Sequence, residues 1–568
     1  MRLTIDARYM KVPVRYEGKE RYFCFYEGNR LVYWFLAAYD VKANDCVYDA
    51  DLRLLQGKTT ELRMFTSSEG HHGPMQVYRD LAAIQAYVRG NSISDACPDN
   101  LGQEEFCPEE LCDPNFCPII SNKTAPVPDD SVRPLMHFTA KCGWINDPNG
   151  LVRTADGLWH LFFQHNPYGR EWGNMHWGHA ISRDLVCWEQ QEEALFQDDR
   201  GMMYSGCALP DPENRSGLFN LRSDPQERLL FYYTSAGTHF EQCLAYSEDG
   251  GKTLVKYPEN PVIPEIGPGN RDPKLVYDRE FDRYLCPLHL SDRDASFAIF
   301  ETRDLLHFSM LQTLQIGRDR ECPNLYPLVS PDGRVLWVLT GASDIYLIGE
   351  MKQEGFFPVQ DAKKLSFDSE SYAAQIYWQE KGQPTVRMAW NRSPIPGVPY
   401  NCSMGTPQEM FLKYIDGEYF LAAKPASEFG KAFPSHAEYA LTADPESAEN
   451  PLILTETLSS PAAMITIQAS DEPSYHAEFP GLVIDASPEG VRISGFLSPL
   501  PWSNTVRTEV FLPRRGPEHM LRIISDTTSV EFSLNDTALT SVPKLTPRDA
   551  SPAFTIRSKT AVRIRINQ

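Results

Sequence analysis

A chain of 568 residues with 76 acidic and 54 basic side chains carries a formal charge of -22, so its long-range field repels phosphate backbones and anionic lipid and argues against nucleic acid as a partner. That length is more than one small module needs and allows three or four domains with substantial cores. The N-terminal MRLTIDARYMKVPVRY has charges at Arg2, Asp6 and Arg8 without the apolar segment and cleavage site of a secretory signal, and apolar runs such as LVYWFLAAY over 31–39 fall short of the ~20 residues of a membrane helix; the expectation is a cytoplasmic protein with no membrane partner.

Residues 1–92 carry short alternating or β-branched runs (RYFCFY, LVYWFLAAYDV, TTELRMF) divided by Gly, Asn and Asp, the pattern of a small antiparallel β domain. DLAAIQAYVRG at 80–90 has helical spacing and stops at Gly90. The segment 93–132 is acidic and Pro-containing and reads as a connector. It holds Cys97, Cys107, Cys112 and Cys117 out of 13 cysteines; without close C-x2-C pairs a zinc site is the weaker reading, and the cysteines are expected as reduced thiols.

From 133 to 420 one theme recurs, a short strand rich in Val, Leu, Tyr, Phe or Trp and then a polar turn: GLWHLFFQHN, RLLFYYTSA, DRYLCPLHL, RVLWVLTG, TVRMAWNR. Evenly spaced short strands point to a closed or radially repeated β architecture, and a propeller leaves few exposed edges. SRDLVCW at 182–188, SEDGGKTL at 247–254 and TRDLLHF at 302–308 are a faint internal repeat. Beyond 420, alternating strands such as MITIQA, GLVIDA, LRIISD and AVRIRI predict a C-terminal β-sandwich over 421–568. The two flanking β domains are candidate surfaces for self-association.

The stretch from His137 to Trp188 contains Trp144, Trp159, Trp172, Trp177 and Trp188, half of the ten tryptophans, interspersed with Asn146, Asp147, Asn149, Gln164, Asn166 and Asn174. Aromatic planes stack on the CH faces of sugars while amides and carboxylates pair with vicinal hydroxyls; a buried aromatic core with Asn-Pro and Asn-Gly turns explains the same spacing. Three acids stand in unusual contexts: Asp147 in WINDPNG, Asp272 in NRDPKLVY and Glu321 in RECPNLYP. Proline follows both aspartates directly, which favours extended or turn backbone there, and Asn146, Arg271 and Arg320 are adjacent groups able to orient or charge-balance them.

In order and at similar separations, WINDPNG, QHNPYG, WGNMHWGHAISRDLVCW, YSGCAL, NRDPK, ECPNLYPL and SYAAQ resemble the motifs of glycoside hydrolase family 32, the β-fructofuranosidases that include invertases, sucrose-6-phosphate hydrolases, levanases and inulinases. The resemblance covers roughly 133–420, with a fainter continuation at LRIISDTTSVEFSLND. It implies an all-β fold: a five-bladed propeller carrying the acids around an axial pocket, then the sandwich. It also implies the roles of the acids: Asp147 as nucleophile at C2 of a terminal fructosyl unit, Glu321 as acid and then base, and Asp272 as the holder of the 3- and 4-hydroxyls. Asn146, Gln164, Trp172, Tyr204, Ser205 and Arg271 match the positions that grip the ring, and no cofactor or metal is implied, so His176 and His179 are not read as ligands. A retaining mechanism needs Glu321 protonated at the start, and burial with like charge from Asp147 is expected to raise its pKa. The sequence departs from the family pattern at Tyr204 and Cys207, where Phe and Ser are usual, at Asn324 for a common Asp, and at Gln408 for Arg. The expected substrate is sucrose or a short fructan; the alternatives are a sucrose-6-phosphate hydrolase and a non-catalytic sugar-binding propeller.

Overall fold

The structure is a computed structural model, and it describes the chain except residues 17, 69–72, 90–107, 112–117, 127–129, 292–295, 317–318, 369, 434–435, 442–450 and 500–505. Cys97, Cys107, Cys112 and Cys117 lie outside the described residues.

The N-terminal part pairs Arg2–Thr4, Thr59–Thr66, Arg21–Glu27 and Arg30–Ala37 in one antiparallel sheet, and Cys46–Asp51, Tyr9–Val14 and Ile119–Ser121 in a second. Gly28, at φ 62°, opens the two-residue turn that joins Arg21–Glu27 to Arg30–Ala37. Strand alternation gives these two strands two buried faces. Phe23, Phe25, Tyr33 and Phe35 pack into a local core, whereas Tyr22, Cys24, Tyr26, Trp34 and Leu36 join a core that continues into Trp144, Phe163, Met202 and Trp390. Helix α1, Pro74–Arg89, starts earlier than the 80–90 segment suggested. It sits in the continuous core through Val77, Tyr78, Leu81 and Ile84.

Among the described residues, 143–425 form five successive antiparallel sheets whose first strands are Gly143–Arg153, Met202–Pro210, Val276–Asp278, Asn324–Val329 and Ser371–Ile376. The chain returns to its start: Tyr400–Asn401 adds to Gly143–Arg153 in parallel, so a segment after the last inner strand completes the first sheet. The faint sequence repeat marks one structural position, the turn after the third strand of the first three sheets. In the first sheet Ser182 Oγ accepts from Leu185 N while Asp184 Oδ1 accepts from the amides of Val186 and Cys187. In the third, Thr302 accepts from Leu305 N and Asp304 from Leu306 and His307. Leu185 and Leu305 both take left-handed backbone, at φ 63° and 65°.

Two six-stranded sheets, one from His436–Leu441 to Ala538–Pro543 and the other from Leu452–Thr457 to Val506–Pro513, enclose a single hydrophobic core, the sandwich expected at the C-terminus. Its junction with the sheets is polar. Asp526 accepts from the amides of Leu135, Met136 and His137 at 2.9, 2.8 and 3.1 Å. The His137 ring lies between Asp526 (3.0 Å) and Glu531 (3.3 Å) with no exposed side-chain surface. Although burial opposes charge, the two carboxylates raise the imidazole pKa to about 10.

Candidate active site

One cavity of about 360 Å³ is lined by all nine residues singled out from sequence, Asn146, Asp147, Gln164, Trp172, Tyr204, Ser205, Arg271, Asp272 and Glu321. Seven of them reach it from four first strands or the loops entering them, while Gln164 comes from the second strand of the first sheet and Trp172 from the loop after it, so the sheets, and not sequence proximity, bring them together.

Asp147 lies within Gly143–Arg153, which carries Asn146 beside it. Asn146 Nδ2 donates to Asp147 Oδ1 (3.2 Å), and Trp144 Nε1–H fixes that amide by donating to Asn146 Oδ1 (3.1 Å). The hydroxyl of Ser205, from the next inner strand, donates to Asp147 Oδ2 at 2.5 Å. Gln164 donates to the Met203 carbonyl at 2.8 Å, tying the second strand of the first sheet to the same strand as Ser205. Tyr204 stands edge-on to both Trp172 (5.9 Å) and Phe240 (5.8 Å).

Asp272 and Glu321 lie just before the third and fourth inner strands, and both are in left-handed backbone, at φ 65° and 58°, with Cys322 at 42°. Asp272 therefore departs from the extended geometry that Pro273 favours. Such conformations cost on the order of 1–3 kcal/mol each for non-glycine residues and persist where surrounding structure fixes them. Here the fixing groups are visible. Thr234 Oγ1 accepts from Asp272 N at 3.0 Å. Buried Asp319 accepts from the amides of Arg320, Ser343 and Ile345, and the carbonyls of Arg320 and Glu321 accept from Ala342 N. Cys322 joins the acids: its amide donates to Asp272 Oδ2 (3.0 Å), and its thiol lies 3.4 Å from Asp147 Oδ2 and 3.6 Å from Asp272 Oδ2. Burial and the neighbouring carboxylates keep that thiol protonated, which makes it a donor to both.

Charge is arranged differently from the sequence expectation. Arg271 donates to Glu321 Oε1 at 2.6 and 3.2 Å and lies 3.8 Å from Asp272; Tyr372 OH donates to Glu321 Oε2 at 2.6 Å. The cation reaching Glu321 is thus Arg271 and not its neighbour Arg320. Burial pushes the Glu321 carboxyl up, but Arg271 and Tyr372 outweigh it and hold the pKa below the usual glutamate value, opposite to the expected rise. Asp147 is raised by burial and by the charge of Glu321, against the hydrogen bonds of Ser205 and Asn146. Asp272 is pushed up to about 7, chiefly by burial, with Arg271 opposing and the other two acids adding to the rise.

The aromatic cluster divides. Trp172 lines the cavity and Trp144 braces Asn146; Trp177 is fully buried, Trp159 packs on Tyr377 and Trp188 on Phe138. His179 is hydrogen-bonded to His160 (3.1 Å) and stacked on Phe162, and His176 bonds the Asn174 carbonyl. Cys207 accepts from Leu275 N. Asn324 does what an aspartate would not, donating to the carbonyls of Cys322 (3.1 Å) and Ala374 (2.8 Å) while accepting from Ile376 N, so it ties the Glu321 loop to the last inner strand. Gln408 accepts from Arg387, which is paired with Asp344. The sequence reading missed Tyr372, Trp390, Arg392, Gly73 and Pro74 as lining residues. Tyr372 lies in SYAAQ and was within reach of the motif; Trp390 and Arg392 were legible only as a strand.

Comparison with known proteins bears on the family and the fold. The model described as "Glycosyl hydrolases family 32 N-terminal domain" matches residues 137–425. A levanase of Bacillus subtilis (strain 168) is 32% identical over 316 residues, 50% of this chain and 45% of the relative. An invertase of Schizosaccharomyces pombe is 33% identical over 278 residues, 45% and 47% of the two chains. The chain thus spans about half the length of these curated relatives. In fold, the exo-inulinase from Aspergillus awamori superposes with TM-score 0.68 at 23% identity, covering 78% of this chain and 98% of that one. A fructofuranosidase from Schwanniomyces occidentalis complexed with fructose gives 0.67 at 23%, covering 77% and 99%. With the family model spanning more than half of its residues, and the motif acids gathered in one cavity, the chain belongs to glycosyl hydrolase family 32.

Proposed function

We propose that this chain is a retaining exo-acting β-fructosidase that releases terminal non-reducing β-D-fructofuranosyl units from sucrose or short fructans. The observation that carries the proposal is the convergence of Asp147, Asp272 and Glu321 on one cavity from three different sheets. Relatives named levanase, invertase and exo-inulinase support a fructoside substrate. In this reading the five sheets are the blades of a propeller over 133–420, flanked by the sandwich over 421–568 and by an N-terminal β domain over 1–92, to whose sheets the 93–132 segment adds Glu110–Leu111 and Ile119–Ser121.

Asp147 attacks the anomeric C2, and Ser205 and Asn146 hold the carboxylate in place for that attack. Asp272 binds the vicinal hydroxyls and supplies negative charge beside an oxocarbenium-like transition state. Glu321 delivers a proton to the leaving oxygen. In the free site Arg271 and Tyr372 favour its ionised form, so its pKa has to rise when substrate binds. A sugar that takes over the hydrogen bonds of Arg271 and excludes water does both things needed. Having given its proton to the leaving oxygen, Glu321 is ionised when the Asp147 ester forms, and it then takes a proton from the water that attacks C2 and frees Asp147.

The test is a substrate panel with fructose and glucose quantified separately, run with wild-type protein and Asp147→Asn. Fructose release is expected from wild type and a loss of at least a thousandfold from the variant, with β-fructofuranose as the first anomer seen by NMR. Initial α-anomer, or activity surviving in Asp147→Asn, refutes the mechanism.

A further inference from the structure

Two residues lining the catalytic cavity, Gly73 and Pro74, belong to none of the five sheets. They are the start of α1 and come from the N-terminal part of the chain. We propose that this first turn of α1 forms a wall at the mouth of the substrate pocket and limits the size of the group attached to the terminal fructosyl unit. The inference rests on the fructosidase reading and adds a specificity determinant to it.

Three observations support it. First, every other lining residue comes from the sheets or the loops between their strands, so Gly73 and Pro74 close the cavity from outside them. Second, α1 is held firmly. Asp80 is fully buried and accepts from Tyr22 OH (3.0 Å), Ser68 Oγ (2.8 Å) and Gln76 Nε2 (2.8 Å). Tyr78 OH donates to the Asp198 carbonyl at 2.7 Å, just before the strand that carries Tyr204 and Ser205. Third, the sheet beneath α1 is tied to the loop that carries Trp172: Leu36 N donates to Asn174 Oδ1 (2.8 Å) and Asn174 Nδ2 donates back to Leu36 O (3.0 Å), and Gln197 Nε2 donates to Trp34 O (3.0 Å). Trp172 and Tyr204 pack against the same apolar cluster as Val77 and Tyr78. The wall and the fructosyl-binding aromatics are therefore one packed unit, and Pro74, with its fixed φ at the first helical position, gives the wall a rigid surface.

Gly73 gives direct access to this wall. A Cβ built on it meets no heavy atom of the described residues within 4 Å, and its backbone is not in the left-handed region, so a larger side chain there has room to extend. The experiment compares kcat/KM for sucrose and for the tetrasaccharide nystose in wild type and Gly73→Leu, with inhibition by free fructose as the third readout. The nystose-to-sucrose ratio is expected to fall about tenfold in the variant, through KM, with the fructose Ki within twofold of wild type. An unchanged ratio overturns the proposal. So does an equal loss on both sugars with weakened fructose inhibition, which places the residue at the fructosyl end. If Gly73→Leu lowers the thermal midpoint by more than a few degrees, Gly73→Ser is read in its place, with a threefold fall expected. Wild-type protein that releases fructose from neither sugar refutes the fructosidase reading separately. The wall is then judged on the ratio of the two sugars' Kd values by tryptophan fluorescence, with the same tenfold change required.

Discussion

Replacing His137 by alanine tests whether the sandwich is locked to the sheets by a buried charge triad. The imidazole has Asp526 on Nδ1 and both Thr406 and Glu531 on Nε2, all within 3.3 Å, and its pKa is raised from 6.5 to about 10. At 1.36 kcal/mol per unit this is on the order of 5 kcal/mol of stability from the protonated ring. That contribution is complete below pH 6.5, where folded and unfolded chains both hold the proton. It declines as pH rises towards 10, because the unfolded chain has released the proton and the folded one has not. Asp526 and Glu531 are depressed by the same contact, so their contribution is present above the usual carboxylate values near 4 and lost as pH falls below them. The triad is therefore strongest between about pH 4.5 and 6.5. His137→Ala leaves two buried carboxylates without their cation, a loss of roughly 3–5 kcal/mol. Asp526 keeps its amide donors, so most of the cost falls on Glu531, and adding Glu531→Gln to His137→Ala is expected to recover part of it. Chemical denaturation followed by tryptophan fluorescence, at pH 5.5 and pH 9.5, reads this directly. A loss below about 1 kcal/mol at pH 5.5, or an equal loss at both pH values, refutes a charged His137.

Tyr372→Phe removes the hydrogen bond to ionised Glu321, so the glutamate pKa rises and the alkaline limb of the kcat/KM profile moves to higher pH; a limb that stays in place means Tyr372 does not control this proton. Asp319→Ala removes the acceptor that holds the loop before Glu321. Its kcat is expected to fall at least tenfold with the circular dichroism spectrum retained, and full kcat in a folded variant counts against the loop as the positioning element.

Much of the fold was legible because its signals are local. Short strands of β-branched and aromatic residues with polar turns every few residues define the sheets, and the Ser/Thr-x-Asp turns recur because the same corner of successive sheets needs the same two acceptors. The three acids were legible through their proline contexts and the motif order. The charge arrangement was not. Whether Arg271 or Arg320 serves Glu321 depends on how two loops approach each other across 50 residues of chain, and no spacing rule encodes that approach. The same applies to His137, whose carboxylate partners lie 389 and more residues away. It applies also to Gly73 and Pro74, which look like an ordinary helix start until α1 is packed beside the pocket.

The polarity of the free site follows from this non-local geometry. Burial raises all three carboxyls, and like charge within one cavity of about 360 Å³ raises Asp147 and Asp272 further. Arg271 breaks the symmetry because it makes its short contacts with Glu321 while lying 3.8 Å from Asp272, leaving Asp272 pushed up to about 7 and Asp147 also raised. The free site therefore favours the ionised form of the residue assigned as the acid and disfavours it on the two aspartates. On the proposed mechanism, a fructoside entering such a site has to draw Arg271 toward itself before Glu321 can hold a proton. The sugar's own hydroxyls would then gate the proton transfer, and a molecule without them would leave the acid ionised.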